Sequence, residues 1–271
     1  MSLTLTLRET PAAPVLAEAL RPDRLAGMSA AEIERLELRH GNRPAAVGEL
    51  FTVAGGRADD VRIEGDLVRV AGVGAGMAGG RLTIAGRAGP HAGAGMEGGK
   101  ILVEGDAGDF AGAEMRGGRL VVRGSAARRL GGAYAGSRAG MRGGEILVHG
   151  SAGDEAGAGL RRGVVAVAGR AGDATGLSAL AGTIVALGPL GAHPGAGMRR
   201  ASIVAMTPPD LLPTYERATT YRPPFLRLLL RRLRDLGLPL TEEHIKGRYT
   251  RWSGDAVELN RGEILILEAA G

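Results

Sequence analysis

A glycine-bordered unit of 19 residues recurs through the middle of this chain, and it limits the possible fold more than any other feature. The units align on one anchor residue that precedes a glycine pair. The anchors are Met77, Met96, Met115, Met141, Leu160, Ala179 and Met198. Their spacings are 19, 19, 26, 19, 19 and 19 residues, so one unit carries a 7-residue insertion around Arg128–Tyr134, which we expect to form a surface bulge.

Each unit predicts one short β-strand with glycine at both ends, as where Leu82 and Ile84 alternate between Gly80 and Gly86. Glycine suits such corners because it reaches positive φ without a Cβ clash. A single unit cannot bury its apolar face, so successive units must stack and pair their strands in parallel. The sequence therefore predicts an all-β-dominated fold, a right-handed parallel β-helix of about seven 19-residue coils and roughly 34 Å in length. The leucine and asparagine pattern of leucine-rich repeats is absent, and 19 is not a multiple of the hexapeptide period.

Both ends of the chain depart from the repeat. Residues 1–60 predict a small α/β cap, with alternating Leu3, Leu5 and Leu7, a helix opened by a Ser29 and Glu32 capping box, and a second strand over residues 50–53. Residues 61–207 hold the repeats. A looser coil at the start of this range comes before the first regular repeat. Residues 208–271 form a C-terminal extension with a final strand over residues 263–268. Residues 223–236 predict a basic amphipathic helix that covers the open end of the solenoid or docks a subunit, in preference to binding a membrane.

The composition excludes several classes of chemistry. There are no cysteines, so disulfides, thiolate metal sites and cysteine nucleophiles are excluded. The net charge of +5 predicts an acidic partner, but aromatic residues make up only 3% of the chain, which disfavours a nucleic-acid-binding surface based on base stacking. No signal-peptide core or membrane-length apolar stretch is present, so we expect a cytoplasmic protein that binds no membrane.

The motifs that resemble catalytic or cofactor sites are explained by the repeat. Gly74-x-Gly76-x-x-Gly79 matches the dinucleotide-binding fingerprint, but a strand follows it where that fingerprint requires a helix. His91 and His193 share a column of the repeat but lie about 24 Å apart along it, too far to bind one metal ion. Corner aspartates are expected to be turn residues. We therefore expect no catalytic residue, no metal site and no cofactor bound by this chain.

A row of basic residues is the main candidate for a binding surface. Arg81, Lys100 and Arg119 occupy one column of successive units, followed by Glu145. A second basic edge next to the anchors adds Arg116, Arg142, Arg161, Arg162, Arg199 and Arg200. Like charges that stand opposite each other are unfavourable unless solvent or an anion separates them. Arg81, Lys100, Arg119, Arg142, Arg161 and Arg162 are therefore the predicted contacts to a polyanion or acidic partner; a solvated face is the alternative.

The repeated phrase at residues 93–108, GAGMEGGKILVEGDAG, resembles the GXGXG domain family. That family includes the C-terminal β-helix domain of glutamate synthase and the C subunit of formylmethanofuran dehydrogenase. The tail segments 211–215, 224–230, 249–255 and 262–265 are similar to the pattern of that dehydrogenase component. The resemblance covers nearly the whole chain.

The resemblance implies a non-catalytic scaffold in a hetero-oligomer. The leading expectation is the bacterial formyltransferase/hydrolase complex, which passes a formyl group from tetrahydromethanopterin to a methanofuran-type carrier and releases formate in one-carbon metabolism. Heavy use of alanine, glycine and arginine favours this over a tungsten or molybdenum formylmethanofuran dehydrogenase, which stays open, as does a glutamate-synthase-like structural domain. The implied partners are a hydrolase-like subunit, a formyltransferase subunit and a dehydrogenase-B-like subunit. Zinc and the carrier, with its polyglutamate-like tail, are expected on those partners.

Overall fold

The computed structural model describes residues 2–269. The N-terminal region combines short strands and single-turn helices. Its elements are β1 (Ser2–Leu7), β2 (Val15–Leu16), α1 (Pro22–Leu25), α2 (Ala30–Glu34), β3 (Glu37–His40), β4 (Arg43–Ala46), α3 (Val47–Leu50), β5 (Phe51–Ala54), β6 (Arg57–Glu64) and β7 (Val70–Ala71). The expected capping box is present: the Ser29 side chain accepts from the Glu32 N–H, and the Glu32 carboxylate accepts from the Ser29 N–H. The predicted N-terminal strands and helix are confirmed.

The central repeats each contribute one strand to a large parallel ladder. These strands are β8 (Arg81–Ala85), β9 (Lys100–Val103), β10 (Arg119–Val122), β11 (Glu145–Val148), β12 (Val164–Val167), β13 (Thr183–Ala186) and β14 (Ser202–Ala205). Neighbours pair without a register shift, including β10 with β11, where Leu120 stands opposite Ile146 across the insertion. The sequence columns are therefore the structural columns, and the fold is strand-dominated as predicted.

A second parallel ladder runs through the same repeats. It consists of single bridges that join Ala88, Ala107, Ala126, Ala152, Ala171 and Leu190 in order. Between the two ladders lies a core of small and medium apolar side chains, in which every anchor from Met77 to Met198 is buried. Because each position of this core is filled by the equivalent small or medium side chains of successive repeats, few aromatic side chains are needed to fill it.

The glycine corners have two different physical causes. Gly118 has a φ of +76°, in the left-handed region that favours glycine, as expected. Gly150 does not require positive φ; a Cβ there would stand 2.7 Å from both the carbonyl carbon and the oxygen of Gly124 in the preceding repeat. At this second kind of corner, the expectation that positive φ selects glycine is wrong, because close approach of two backbones selects it instead.

The C-terminal extension lengthens the ladder and covers one of its faces. Its elements are β15 (Glu216–Tyr221), α4 (Pro224–Asp235), α5 (Glu242–Lys246), β16 (Tyr249–Gly254), a 3-10 turn (Ala256–Glu258) and β17 (Gly262–Leu267). Strand β17 pairs in parallel with β14, and β16 and β15 follow it in antiparallel order. The resulting sheet has the strand order β15-β16-β17-β14-β13-β12-β11-β10-β9-β8-β6-β1-β5, beside a second sheet ordered β4-β3-β2-β7.

Helix α4 lies on the outer face of the ladder. Leu226, Leu230 and Leu233 are buried against a row of outward-facing strand residues. That row consists of Leu147, Ala166, Val185, Val204 and Leu265. The amphipathic helix predicted over residues 223–236 is confirmed. The expectation that the helix covers the open end of the repeats is wrong, because β17 occupies that end through its pairing with β14.

Candidate functional site

The predicted basic row is divided by a built-in ion-pair network. Arg81, Lys100 and Arg119 stand opposite one another in register, as expected. Arg119 donates to Glu145 at 2.8 Å, and Arg232 from α4 donates to the other carboxylate oxygen of Glu145 at 2.6 Å. Arg119 is therefore occupied in joining the ladder to α4, whereas Arg81 and Lys100 are exposed.

The carboxylate of Glu145 is held ionised by this network. Burial disfavours the charged form, but hydrogen bonds from Arg232 and Arg119 outweigh it, so that the pKa of Glu145 is lowered. Its stabilising contribution is present above the ordinary carboxyl pKa and is lost as the pH falls through the lowered value.

Glu145→Gln is expected to lower the free energy of unfolding by about 1–3 kcal/mol, because the partly buried guanidinium of Arg119 and the exposed one of Arg232 both lose their anion. Glu97→Gln is the matched control. Glu97 pairs with Arg116 at 2.8 Å on the surface, where such a pair contributes about 0–1 kcal/mol. Urea denaturation of both variants measures the difference, and equal losses would contradict the assigned role of Glu145.

The second basic edge, apart from Arg116, forms a concave arginine pocket. Residues next to the anchors in four repeats, together with three residues of the C-terminal extension, line a cavity of about 980 Å³. Its arginines are Arg142, Arg161, Arg162, Arg199, Arg200 and Arg261. Arg142, Arg161 and Arg162 are thus brought together, but apart from Arg81, Lys100 and Arg119, which line no part of this pocket. Arg261 was missed from the sequence because nothing local indicates that it folds back onto the repeats.

Most of the charge in the arginine pocket is uncompensated. Arg199 pairs with Glu258 at 2.9 Å. Within residues 2–269, the other five arginines make no ion pair, and their side chains are exposed. A planar guanidinium binds a carboxylate or phosphate through two parallel hydrogen bonds. The pocket is therefore suited to a ligand or surface that carries several carboxylates.

The loop of residues 255–261 forms one wall of the arginine pocket and is firmly held. Asp255, only 3% exposed, accepts hydrogen bonds from the N–H of Gly197 at 3.0 Å and of Val257 at 3.2 Å. Its own carbonyl accepts from Glu258 and Asn260. The loop thereby fixes the position of Leu259 at the rim of the pocket.

An aromatic stack fixes the insertion of the third repeat. His91 and Phe110 occupy the same column of adjacent repeats, both at positive φ, with ring centroids 5.3 Å apart. Tyr134 of the insertion stacks on Phe110 at 5.1 Å, and its hydroxyl lies 2.9 Å from His91 Nδ1. The predicted surface bulge is therefore anchored. The 19-residue spacing of His91 and Phe110 was a signal that could have identified this contact.

Burial in this stack lowers the pKa of His91, although Asp109 and Glu18 act in the opposite direction. The unfolded chain therefore binds more protons just below pH 6.5, the ordinary histidine pKa, and stability decreases as the pH falls through that range. We expect His91→Phe, which keeps a planar ring but cannot titrate, to lose less thermal stability than the wild type between pH 7 and pH 5. Circular dichroism melts across this range test the difference, and identical pH dependences would contradict it.

The corner aspartates connect successive repeats, as expected of turn residues. Asp109 Oδ1 accepts from the N–H of Arg128 at 3.0 Å, and Asp154 Oδ1 accepts from the N–H of Asp173 at 3.0 Å. Within the described chain, no cluster of three or more histidine, aspartate or glutamate side chains is arranged to hold a metal ion. Over the same residues, no helix is long and apolar enough to cross a membrane.

Similarity to known proteins extends over nearly the whole chain, although no family model matches it. A chain of the formyltransferase/hydrolase complex FhcABCD from Methylorubrum extorquens, solved in complex with methylofuran, matches with a TM-score of 0.92 and 35% identity, over 98% of this chain and 100% of that chain. The C subunit of the tungsten-containing formylmethanofuran dehydrogenase 2 of Methanothermobacter thermautotrophicus is 37% identical over 89 residues. Its counterpart in the molybdenum-containing formylmethanofuran dehydrogenase 1 of Methanothermobacter marburgensis is 37% identical over 78 residues.

These curated relatives are matched only in part: the aligned segment spans 33% of the tungsten relative and 20% of the molybdenum relative. The fold and the arginine pocket define a repeat-built, strand-dominated protein with a concentrated basic surface. The chain belongs to the family of formylmethanofuran dehydrogenase C subunits, as the predicted resemblance indicated.

Proposed function

We propose that this chain is the C subunit of a formyltransferase/hydrolase complex and acts there as a scaffold without catalytic residues of its own. The observation that carries the proposal is the match to a chain of such a complex over 98% of the present chain. That match includes the C-terminal extension as well as the repeats. A shared glycine repeat alone would not require the extension to agree.

A scaffold is consistent with how the molecule is built. Successive repeats are joined by two parallel ladders, and α4 closes one face through apolar contacts and the Glu145 network. We interpret the repeats as about seven turns of a right-handed parallel β-helix, a form that gives a stiff rod with several separate faces. Such a rod can hold other chains at fixed positions.

The proposed setting is a cytoplasmic hetero-oligomer with hydrolase-like, formyltransferase and dehydrogenase-B-like subunits. Chemistry would reside on those partners, along with zinc and the methanofuran-type carrier. Arg81, Lys100 and the arginine pocket would contact either the polyglutamate-like tail of that carrier or an acidic surface of a partner. Arg81→Glu with Lys100→Glu is a cleaner test of the exposed row than a substitution at Arg119, which would also disturb Glu145.

Purification of the tagged full-length chain from its native host under mild conditions tests the proposal. The expected result is a stable assembly containing three further kinds of subunit, with formate released from a formyl-tetrahydromethanopterin substrate. Recovery of the chain alone and monomeric would contradict it.

A second candidate is the C subunit of a tungsten- or molybdenum-containing formylmethanofuran dehydrogenase. It is favoured by the similarity to the corresponding chains of both kinds of dehydrogenase. Metal analysis of the purified assembly separates the two proposals, since a dehydrogenase would contain stoichiometric tungsten or molybdenum.

A further inference from the structure

The arginine pocket concentrates positive charge, of which the described chain pairs only Arg199 with an acidic side chain. Arg142 and Arg161 occupy equivalent positions in successive repeats, each directly after the anchor. The N–H of Arg142 donates to Met115 O, and the N–H of Arg161 donates to Met141 O. Residues paired in this way are about 4.8 Å apart along the ladder. Exposed like charges at that spacing repel each other, so the arrangement favours a bound anionic group between them.

Two apolar side chains of the loop of residues 255–261 are exposed among the residues that the structure describes. Val257 is 75% exposed and Leu259 is 70% exposed, and Leu259 also lines the pocket. Leu259 has a φ of 70°, a left-handed conformation that is unfavourable for a leucine. The hydrogen bonds of Asp255 hold the loop in this form. A preformed loop displays its apolar residues with little ordering cost on binding.

The combination of unpaired arginines with exposed apolar side chains discriminates between two kinds of ligand. A simple polyanion would use the arginines and leave Val257 and Leu259 in water. An acidic polypeptide segment that also carries an apolar residue would use both, as central apolar anchors ringed by charge do in protein interfaces.

We infer that the arginine pocket together with Val257 and Leu259 is the docking site for an acidic segment of a partner subunit, a segment that places an apolar side chain against Leu259. The inference rests on the proposed function in that it requires a hetero-oligomer. It adds the position of one interface and the chemistry of the segment that occupies it.

The first test uses the whole assembly in the native host. Leu259→Asp introduces a negative charge at the rim, and aspartate tolerates positive φ better than leucine, so the fold is preserved. We expect the variant chain to remain folded but to lose one partner subunit, and Arg161→Glu with Arg162→Glu to lose the same one. Arg138→Glu, an exposed arginine outside the pocket, is the charge control and retains every subunit.

The outcomes of that test are distinguishable. Complete assembly of both pocket variants would overturn the docking site while leaving the scaffold proposal intact. A wild-type chain that purifies alone would instead remove the scaffold proposal itself.

The second test measures binding to the isolated full-length chain by fluorescence anisotropy. The probes are two fluorescein-labelled ten-residue peptides, one entirely glutamate and one with two central leucines. We expect the leucine-containing peptide to bind about fivefold more tightly, the effect of partly burying one side chain, and Leu259→Asp to abolish that preference. Equal binding of the two peptides would identify a general polyanion site and overturn the inference, as would binding of neither.

Discussion

Gly150→Ala is expected to lower the free energy of unfolding by about 3 kcal/mol, at the upper end of the usual cost of overpacking. The N–H of Gly150 donates to the carbonyl of Gly124 at 2.9 Å, which fixes how closely the two repeats approach. The added Cβ would stand 2.7 Å from that same carbonyl oxygen and from its carbon. Relief requires one corner to move away from the next, so the parallel ladder on either side must also shift.

Gly79→Ala is the matched control for this substitution. Gly79 is a corner glycine of the first full repeat, and a Cβ there would have no atom within 4 Å. We expect its stability to stay within about 0.5 kcal/mol of the wild type. Thermal melts followed by circular dichroism would show a midpoint about 6–12 °C lower for Gly150→Ala alone. Equal midpoints would mean that the repeats do not approach as closely as the structure indicates.

Leu230→Ala is expected to cost about 3 kcal/mol, within the range for a buried leucine whose surroundings cannot close the cavity. Leu230 is fully buried between α4 and the outer face of the ladder, in the same apolar cluster as Leu147 and Val185. The strands beneath it are fixed by pairing on both sides, so they cannot move into the space. Loosening of α4 also uncovers the apolar face of the sheet, and we therefore expect increased aggregation on heating.

Leu228→Ala on the same helix is the control, since Leu228 is 71% exposed. Both variants replace leucine by alanine in the same helix, so they change helix propensity equally, but Leu228→Ala removes no buried contact. Its effect on the free energy of unfolding should therefore be within about 0.5 kcal/mol. Urea unfolding of the pair separates packing from propensity. Similar losses in both variants would contradict the packing of α4 on the ladder.

Much of the fold follows from the spacing of residues in the sequence. Leu120 and Ile146 are 26 residues apart, yet both belong to the column of strand residues that face the core, and they pair in register. Because each repeat must stack on the next, only one register aligns all the apolar columns. A local insertion has no place in that register and therefore lies at the surface. The amphipathic pattern of residues 223–236 likewise indicated a helix, observed as Pro224–Asp235, and its buried leucines.

The candidate site was predicted less completely. Arg142, Arg161 and Arg162 were named from their position beside the anchors and line the arginine pocket, whereas the other members of the predicted contact set lie outside it. Arg119 was expected to present its charge outwards, whereas it pairs with Glu145, whose carboxylate also binds Arg232. An ion pair between α4 and the ladder joins residues 87 positions apart, and no local pattern in the sequence encodes such a contact.

The sequence by itself determined the ladder, its register and its buried columns, because a repeated unit can bury its apolar face only against its own copy. The tertiary structure alone decided where the non-repeating segments lie: α4 on the side of the ladder, Tyr134 on the His91 and Phe110 stack, and Leu259 with Arg261 at the arginine pocket. These positions depend on the path by which the chain folds back after the last repeat and on side chains that meet only once. Contacts of that kind have no period, so they leave no local signal in the sequence.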